Sequence, residues 1–103
     1  MRYRAFGFVI DSELDLIQVT KDHTEEASEI NIRYAKLSET GLSFDDFYQD
    51  QREYRMCPMG IANFRITDGK LIEVEPLSEK DLAHIGVYIL GTCMGAIMHQ
   101  RKL

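Results

Sequence analysis

The amino-acid sequence predicts an α+β domain, with about five mostly antiparallel strands followed by one long apolar helix packed on the sheet. Three observations predict it. Several short segments alternate apolar and polar residues, Asp68-Gly69 is a turn signal between two of them, and residues 82–98 are almost entirely apolar. At 103 residues the chain is expected to form one domain over residues 1–103, large enough to bury a core without disulfides or metal.

The first predicted strand lies near the N-terminus. Residues 3–10 are aromatic and β-branched, with Phe6, Phe8 and Ile10 on one parity, so we expect a strand that ends at Asp11-Ser12. Leucines then alternate with acids over residues 14–19, which is typical of a short strand or an extended segment. The N-terminal part therefore contributes one strand, or two if the second segment pairs.

The middle of the chain holds one clear strand between polar segments. Residues 21–29 are polar and rich in turn formers, which predicts a solvated loop. Ile30, Ile32 and Tyr34 then alternate with polar residues and predict a half-buried strand. Over residues 38–51 acids are interleaved with aromatic side chains, a pattern that fits either an amphipathic turn of helix or a loop.

Two strands around Asp68-Gly69 are predicted to form a hairpin with one polar face. A strict two-residue loop would divide the apolar side chains of the two strands between opposite faces, whereas a three-residue loop over residues 68–70 keeps them together. Gly69 is expected to supply a positive φ in that loop. The predicted cross-strand pairs are Phe64 with Val74 and Ile66 with Ile72.

The second hairpin strand is expected to lead into a long helix. Pro76 ends the strand because it has no N–H to donate, and Ser78 is a candidate N-cap with Asp81 in the first turn. The apolar run then extends over residues 82–98. It is followed by cations suited to a helix C-terminus, namely His99, Arg101 and Lys102.

This helix is too hydrophobic all round for an ordinary surface helix, so we expect it to be buried against the sheet, a second domain or another subunit. A membrane span is disfavoured by His84, by three glycines and by the lack of an aromatic belt beyond Tyr88. Gly91 and Gly95 let a backbone come close on one side, either that of the chain's own sheet or that of a partner. The candidate interface residues are Tyr88, Gly91, Gly95, Met98 and Leu103.

Composition excludes some function classes. A net charge of −5 and a pI near 5.1, without a basic stripe, argue against a nucleic-acid partner. Cys57 and Cys93 have no nearby second cysteine or histidine, which fits a reduced compartment better than a disulfide scaffold. The N-terminus lacks the apolar core of a signal peptide, so a cytoplasmic location is expected.

The common catalytic motifs are absent from the sequence, which has no G-x-x-x-x-G-K-[ST] loop, G-x-S-x-G elbow, H-E-x-x-H or C-x-x-C. His84 lies on the apolar helix and is expected to be a packed or half-exposed histidine rather than a base. Cys57 has no basic neighbour closer than Arg55, so it is expected to be structural rather than reactive.

Two acidic clusters are better explained by solvation than by chemistry. Acids around His23 suggest a hard-cation site, but a solvated loop explains them without a metal. Asp45, Asp46 and Asp50 lack the apolar pocket that would raise a carboxyl pKa for acid–base work. We therefore predict no catalytic, cofactor-binding or metal-binding residue.

Both ends of the chain resemble one protein family. The similar segments are Tyr3-Arg4-Ala5-Phe6-Gly7 with Ile10-Asp11-Ser12-Glu13-Leu14, Phe64-Arg65-Ile66-Thr67-Asp68-Gly69 with Ile72-Glu73-Val74-Glu75-Pro76, and Tyr88-Ile89-Leu90-Gly91 with His99-Gln100-Arg101. They resemble the N-terminal region of HPr-kinase-like serine kinases, a group that includes kinases of bacterial lasso-peptide clusters. The resemblance covers roughly half of the residues.

The resemblance implies an accessory role rather than a catalytic one. In that family the segment similar to residues 88–101 is followed by a strand with a Leu-His-x-Ser type motif and then by the P-loop, and this chain ends before either. It implies a non-catalytic N-terminal domain that packs on a kinase domain in cis and helps to position a protein or peptide substrate. Two alternatives stay open: a standalone module that captures an extended peptide at a sheet edge, and a homo-oligomer that pairs its helix through Gly91 and Gly95.

Overall fold

The computed structural model describes residues 1–14, 16, 27–37, 47–50, 52–58, 61–77 and 82–102. These residues form one seven-stranded sheet and a C-terminal helix. The strands are β1 (Arg2–Ala5), β2 (Phe8–Ser12), β3 (Ile30–Tyr34), β4 (Phe47–Gln49), β5 (Glu53–Met56), β6 (Ala62–Thr67) and β7 (Leu71–Pro76). The helix consists of α1 (Leu82–Tyr88), a π-helical segment (Ile89–Cys93) and α2 (Met94–Gln100).

The sheet is mixed, with the strand order β1-β2-β3-β7-β6-β5-β4. The neighbouring strands β2, β3 and β7 run parallel, and the remaining pairs are antiparallel. The α+β class with a C-terminal helix is confirmed, but the expected five strands were too few and the parallel pairs were not predicted. Parallel strands need long connections, which leave no turn signal in the local sequence.

The N-terminal segment is a hairpin, so the single strand predicted over residues 3–10 is wrong. Phe6 and Gly7 form its turn with φ values of 54° and 83°. Positive φ at both central residues is typical of the two-residue turns that match strand twist. The turn places Phe6 in solvent while Phe8 returns to the core. An aromatic residue at positive φ is rare, which is why the alternation alone concealed the turn.

The second hairpin forms with the predicted register. Phe64 pairs with Val74 and Ile66 with Ile72. Gly69 has a φ of +65°, as expected, and Asp68 also has a positive φ of 56°. The apolar side chains of β6 and β7 therefore share one face, and β7 ends at Pro76 as predicted.

The core lies between the helix and one face of the sheet. It is built from the alternating positions of the strands and from one face of the helix, and its largest fully buried members include Tyr3, Phe64, Ile10, Ile32, Ile72, Ile85 and Ile97. The strand predicted from Ile30 is confirmed. Leu14 and Leu16 are buried but outside any strand, and the Leu16 N–H donates to the Tyr3 hydroxyl at 2.9 Å.

The π-helical segment keeps the buried side of the helix facing the sheet. The buried residues Ile85, Ile89, Cys93 and Ile97 recur at intervals of four. In a regular α-helix four residues rotate about 40° beyond a full turn, so three such steps would drift by about 120°. The Met94 N–H instead bonds the carbonyl of Ile89, five residues back, and this wider turn absorbs the extra residue.

Candidate interaction surface on the C-terminal helix

The side of the helix that faces away from the sheet is exposed and carries no Asp, Glu, Lys or Arg. We call it the outward helix face, and its exposed residues are Ala83, His84, Val87, Gly91, Thr92, Gly95 and His99. Residues 82–100 contain no Asp, Glu, Lys or Arg. A helix that packs one face on a core normally carries charged residues on the other face. Here Val87 is 58% exposed instead.

The two glycines of the helix that were predicted to allow close approach lie on this face. Apart from the adjacent residues and the backbone of its own helix, a Cβ built on Gly91 or Gly95 has no described atom within 4 Å. Close packing of these glycines on the chain's own sheet, one of the two expectations, is therefore wrong. The reason is that Gly91 and Gly95 each lie two positions before a buried residue, Cys93 and Ile97, and two positions are roughly half a turn of the helix.

Glycine is unfavourable at such positions in an isolated helix. It costs roughly 0.5–1 kcal/mol relative to alanine in a helix interior, and the described residues around Gly91 and Gly95 leave room for a methyl group. Together with Ala83 and Val87 the glycines form a line of small or apolar side chains at four-residue steps. This line leaves room for another backbone to approach closely.

The other candidate interface residues contribute less. Tyr88 is half-buried, and its ring centroid lies 6.3 Å from that of Phe64, so much of it belongs to the core. Met98 is also half-buried. Leu103 lies outside the described residues. The structure thus brings Gly91 and Gly95 together with Val87, which the sequence reasoning did not select although it belongs to the same four-residue series.

Two side chains at the end of the helix bind the β6–β7 turn. The Gln100 side chain accepts from the N–H of Gly69 at 2.7 Å and donates to the carbonyl of Ile66 at 2.9 Å. The Nε of Arg101 donates to the carbonyl of Gly69, also at 2.7 Å. We call these contacts the C-terminal latch. It holds the end of the helix on the sheet, so that the outward helix face is presented on a fixed support.

Arg101 extends the C-terminal latch to two more segments. Its Nη2 donates to the carbonyl of Glu29 at 3.1 Å, and its guanidinium carbon lies 4.8 Å from the ring centroid of Phe8. The sequence suggested only that Arg101 would complement the helix dipole. Its contacts with the turn, β2 and the residue before β3 were missed, because no local pattern indicates which distant carbonyls an arginine will reach.

The opposite face of the sheet carries paired charges, as the polar alternation of the hairpin predicted. Arg65 lies 2.7 Å from Glu73 and 3.9 Å from Glu53, and Arg33 lies 3.5 Å from Asp11. These side chains form a ladder of opposite charges across neighbouring strands, which is typical of a solvated sheet face. These cross-strand pairs help to fix the pairing of neighbouring strands.

The candidate reactive groups are not assembled into a site among the described residues. His84 is exposed. Cys57 and Cys93 are buried, and burial raises the pKa of the Cys93 thiol, which keeps it in the unreactive neutral form. No group of three or more potential metal ligands occurs in the described part of the chain. His23 with its acids, Asp45 and Asp46 lie outside it.

The predicted Ser78 cap with Asp81 and residues 38–46 and 51 lie outside the described residues. Within the segment that was expected to be a turn of helix or a loop, Phe47–Gln49 instead forms the strand β4. No helix among the described residues is both long and apolar enough to cross a membrane.

Comparison with known proteins finds no family model, no curated protein and no solved structure that matches this chain. The resemblance of its two ends to HPr-kinase-like serine kinases therefore stays a prediction. What bears on function is the geometry of the chain itself, above all the outward helix face and the C-terminal latch that supports it.

Proposed function

We propose that this chain is the non-catalytic N-terminal accessory domain of an HPr-kinase-like serine kinase. In this role it packs on the kinase domain through the outward helix face and helps to position a protein or peptide substrate. The observation that carries the proposal is the exposed, uncharged line through Val87, Gly91 and Gly95. The proposal that the partner is a kinase domain comes from the resemblance to HPr-kinase-like serine kinases.

Two features of the outward helix face are unfavourable while the domain is isolated. Two glycines at open helix positions weaken the helix, and an exposed Val87 leaves apolar surface in water. A partner whose backbone approaches Gly91 and Gly95 would offset both costs, because it would cover Val87 and occupy the space that a side chain would otherwise fill.

The same geometry limits what the domain contributes. Its sequence has no anion-cradling glycine loop, so binding and transfer of phosphate fall to the partner domain. The C-terminal latch fixes the helix against the β6–β7 turn. A rigid platform of this kind suits an accessory domain that orients a substrate relative to a separate catalytic centre.

The first test is the encoded reading frame after Leu103. Continuation into a strand and a G-x-x-x-x-G-K-[ST] loop is the expected result. A stop codon at that position contradicts the kinase proposal and leaves only a standalone or oligomeric domain.

The second test measures docking directly. The encoded kinase domain is titrated with this chain by calorimetry, and Gly95→Leu is expected to weaken binding at least tenfold because its side chain blocks close approach. Ala27→Leu is the matched control, since Ala27 is exposed and lies outside the helix. Equal affinity of the Gly95→Leu and Ala27→Leu variants contradicts docking through the outward helix face.

The outward helix face also favours a second candidate, a homo-oligomer in which the helices of two copies pair. Sedimentation velocity distinguishes it from the first. A dimer of the isolated chain that Gly95→Leu converts to a monomer supports the homo-oligomer, and a chain that stays monomeric at high concentration excludes it. Capture of a peptide at a sheet edge stays a prediction.

A further inference from the structure

We draw no further inference here: the strongest candidate, the ladder of charged side chains formed by Asp11, Arg33, Glu73, Arg65 and Glu53 on the sheet face opposite the helix, has its charges paired within the described residues, and nothing in the structure shows what covers it.

Discussion

Replacement of Gly69 by alanine tests the C-terminal latch and the hairpin turn together. The φ of +65° is unfavourable for any residue with a Cβ, at a cost of roughly 1–2 kcal/mol. A Cβ at this position also lies 2.7 Å from Cγ of Arg101, closer than real contacts allow. The Arg101 side chain must therefore shift, and this shift weakens or breaks its 2.7 Å hydrogen bond to the carbonyl of Gly69.

The two effects add to a large loss for one methyl group. A hydrogen bond to a charged group contributes about 1.5–3 kcal/mol, and the Arg101 side chain retains part of it if it can adjust. We therefore expect Gly69→Ala to lower the free energy of unfolding by about 2–4 kcal/mol, measured by urea denaturation. Gly7→Ala is the matched control, because Gly7 has a φ of +83° but open space around its Cβ, so only the backbone cost applies.

A double-mutant cycle separates the backbone strain at residue 69 from the loss of its contact with Arg101. In an Arg101→Ala background the clash is gone, so Gly69→Ala should cost only the backbone term of roughly 1–2 kcal/mol. If Gly69→Ala is no more destabilising than Gly7→Ala, or if its cost is the same with and without Arg101, then the contact between Arg101 and Gly69 does not stabilise the fold.

Three further predictions follow from the helix, the turn and the buried thiol. Gly91→Ala and Gly95→Ala should each stabilise the isolated chain by about 0.5–1 kcal/mol in urea denaturation, because alanine favours the helix and its methyl group has room at both positions. A loss of stability would show that these positions are packed against other residues. The Arg52 guanidinium donates a hydrogen bond to Asp68 and lowers the pKa of that carboxyl below its ordinary 3.8. The contribution of this pair to the free energy of unfolding is therefore fully present above pH 3.8, and it is lost as the pH falls through the lower pKa of the folded state. A carboxyl NMR titration should show the Asp68 pKa rising towards 3.8 in Arg52→Ala, and an unchanged value would contradict the pairing. Burial raises the pKa of the Cys93 thiol, so this thiol should react with a thiol reagent only in denaturant, and rapid labelling of the native chain would contradict its burial. The free energy of unfolding should also fall as the pH rises above 9.0, the ordinary pKa of a thiol, because the thiol then ionises only in the unfolded chain.

The second hairpin was predictable because its determinants are local. The alternation of Phe64 and Ile66 with polar residues defines one apolar face, and the same holds for Ile72 and Val74. Only one loop length keeps both sets on that face, so register and turn followed from side-chain parity alone. The position of Gly69 then specified where the backbone had to adopt a positive φ.

The N-terminal hairpin was not predictable by the same reasoning. Phe6-Gly7 has only one residue that readily adopts positive φ, and Phe6 continues the apolar parity of Phe8. The turn is stabilised by pairings such as Tyr3 with Ile10 and by the Leu16 N–H on the Tyr3 hydroxyl. These contacts outweigh the local preference of an aromatic residue for the extended conformation.

For this protein, local patterns in the chain were enough to predict the α+β class, the register of the second hairpin, the end of β7 at Pro76 and the presence of a long apolar helix. Three features became visible only in the folded chain: the parallel pairing of β2, β3 and β7, the outward direction of Gly91 and Gly95, and the C-terminal latch of Gln100 and Arg101 on the β6–β7 turn. The division has a physical cause. Side-chain periodicity and turn chemistry act between neighbours in the chain, whereas strand order, helix rotation and the partners of a long side chain depend on groups that only folding brings together.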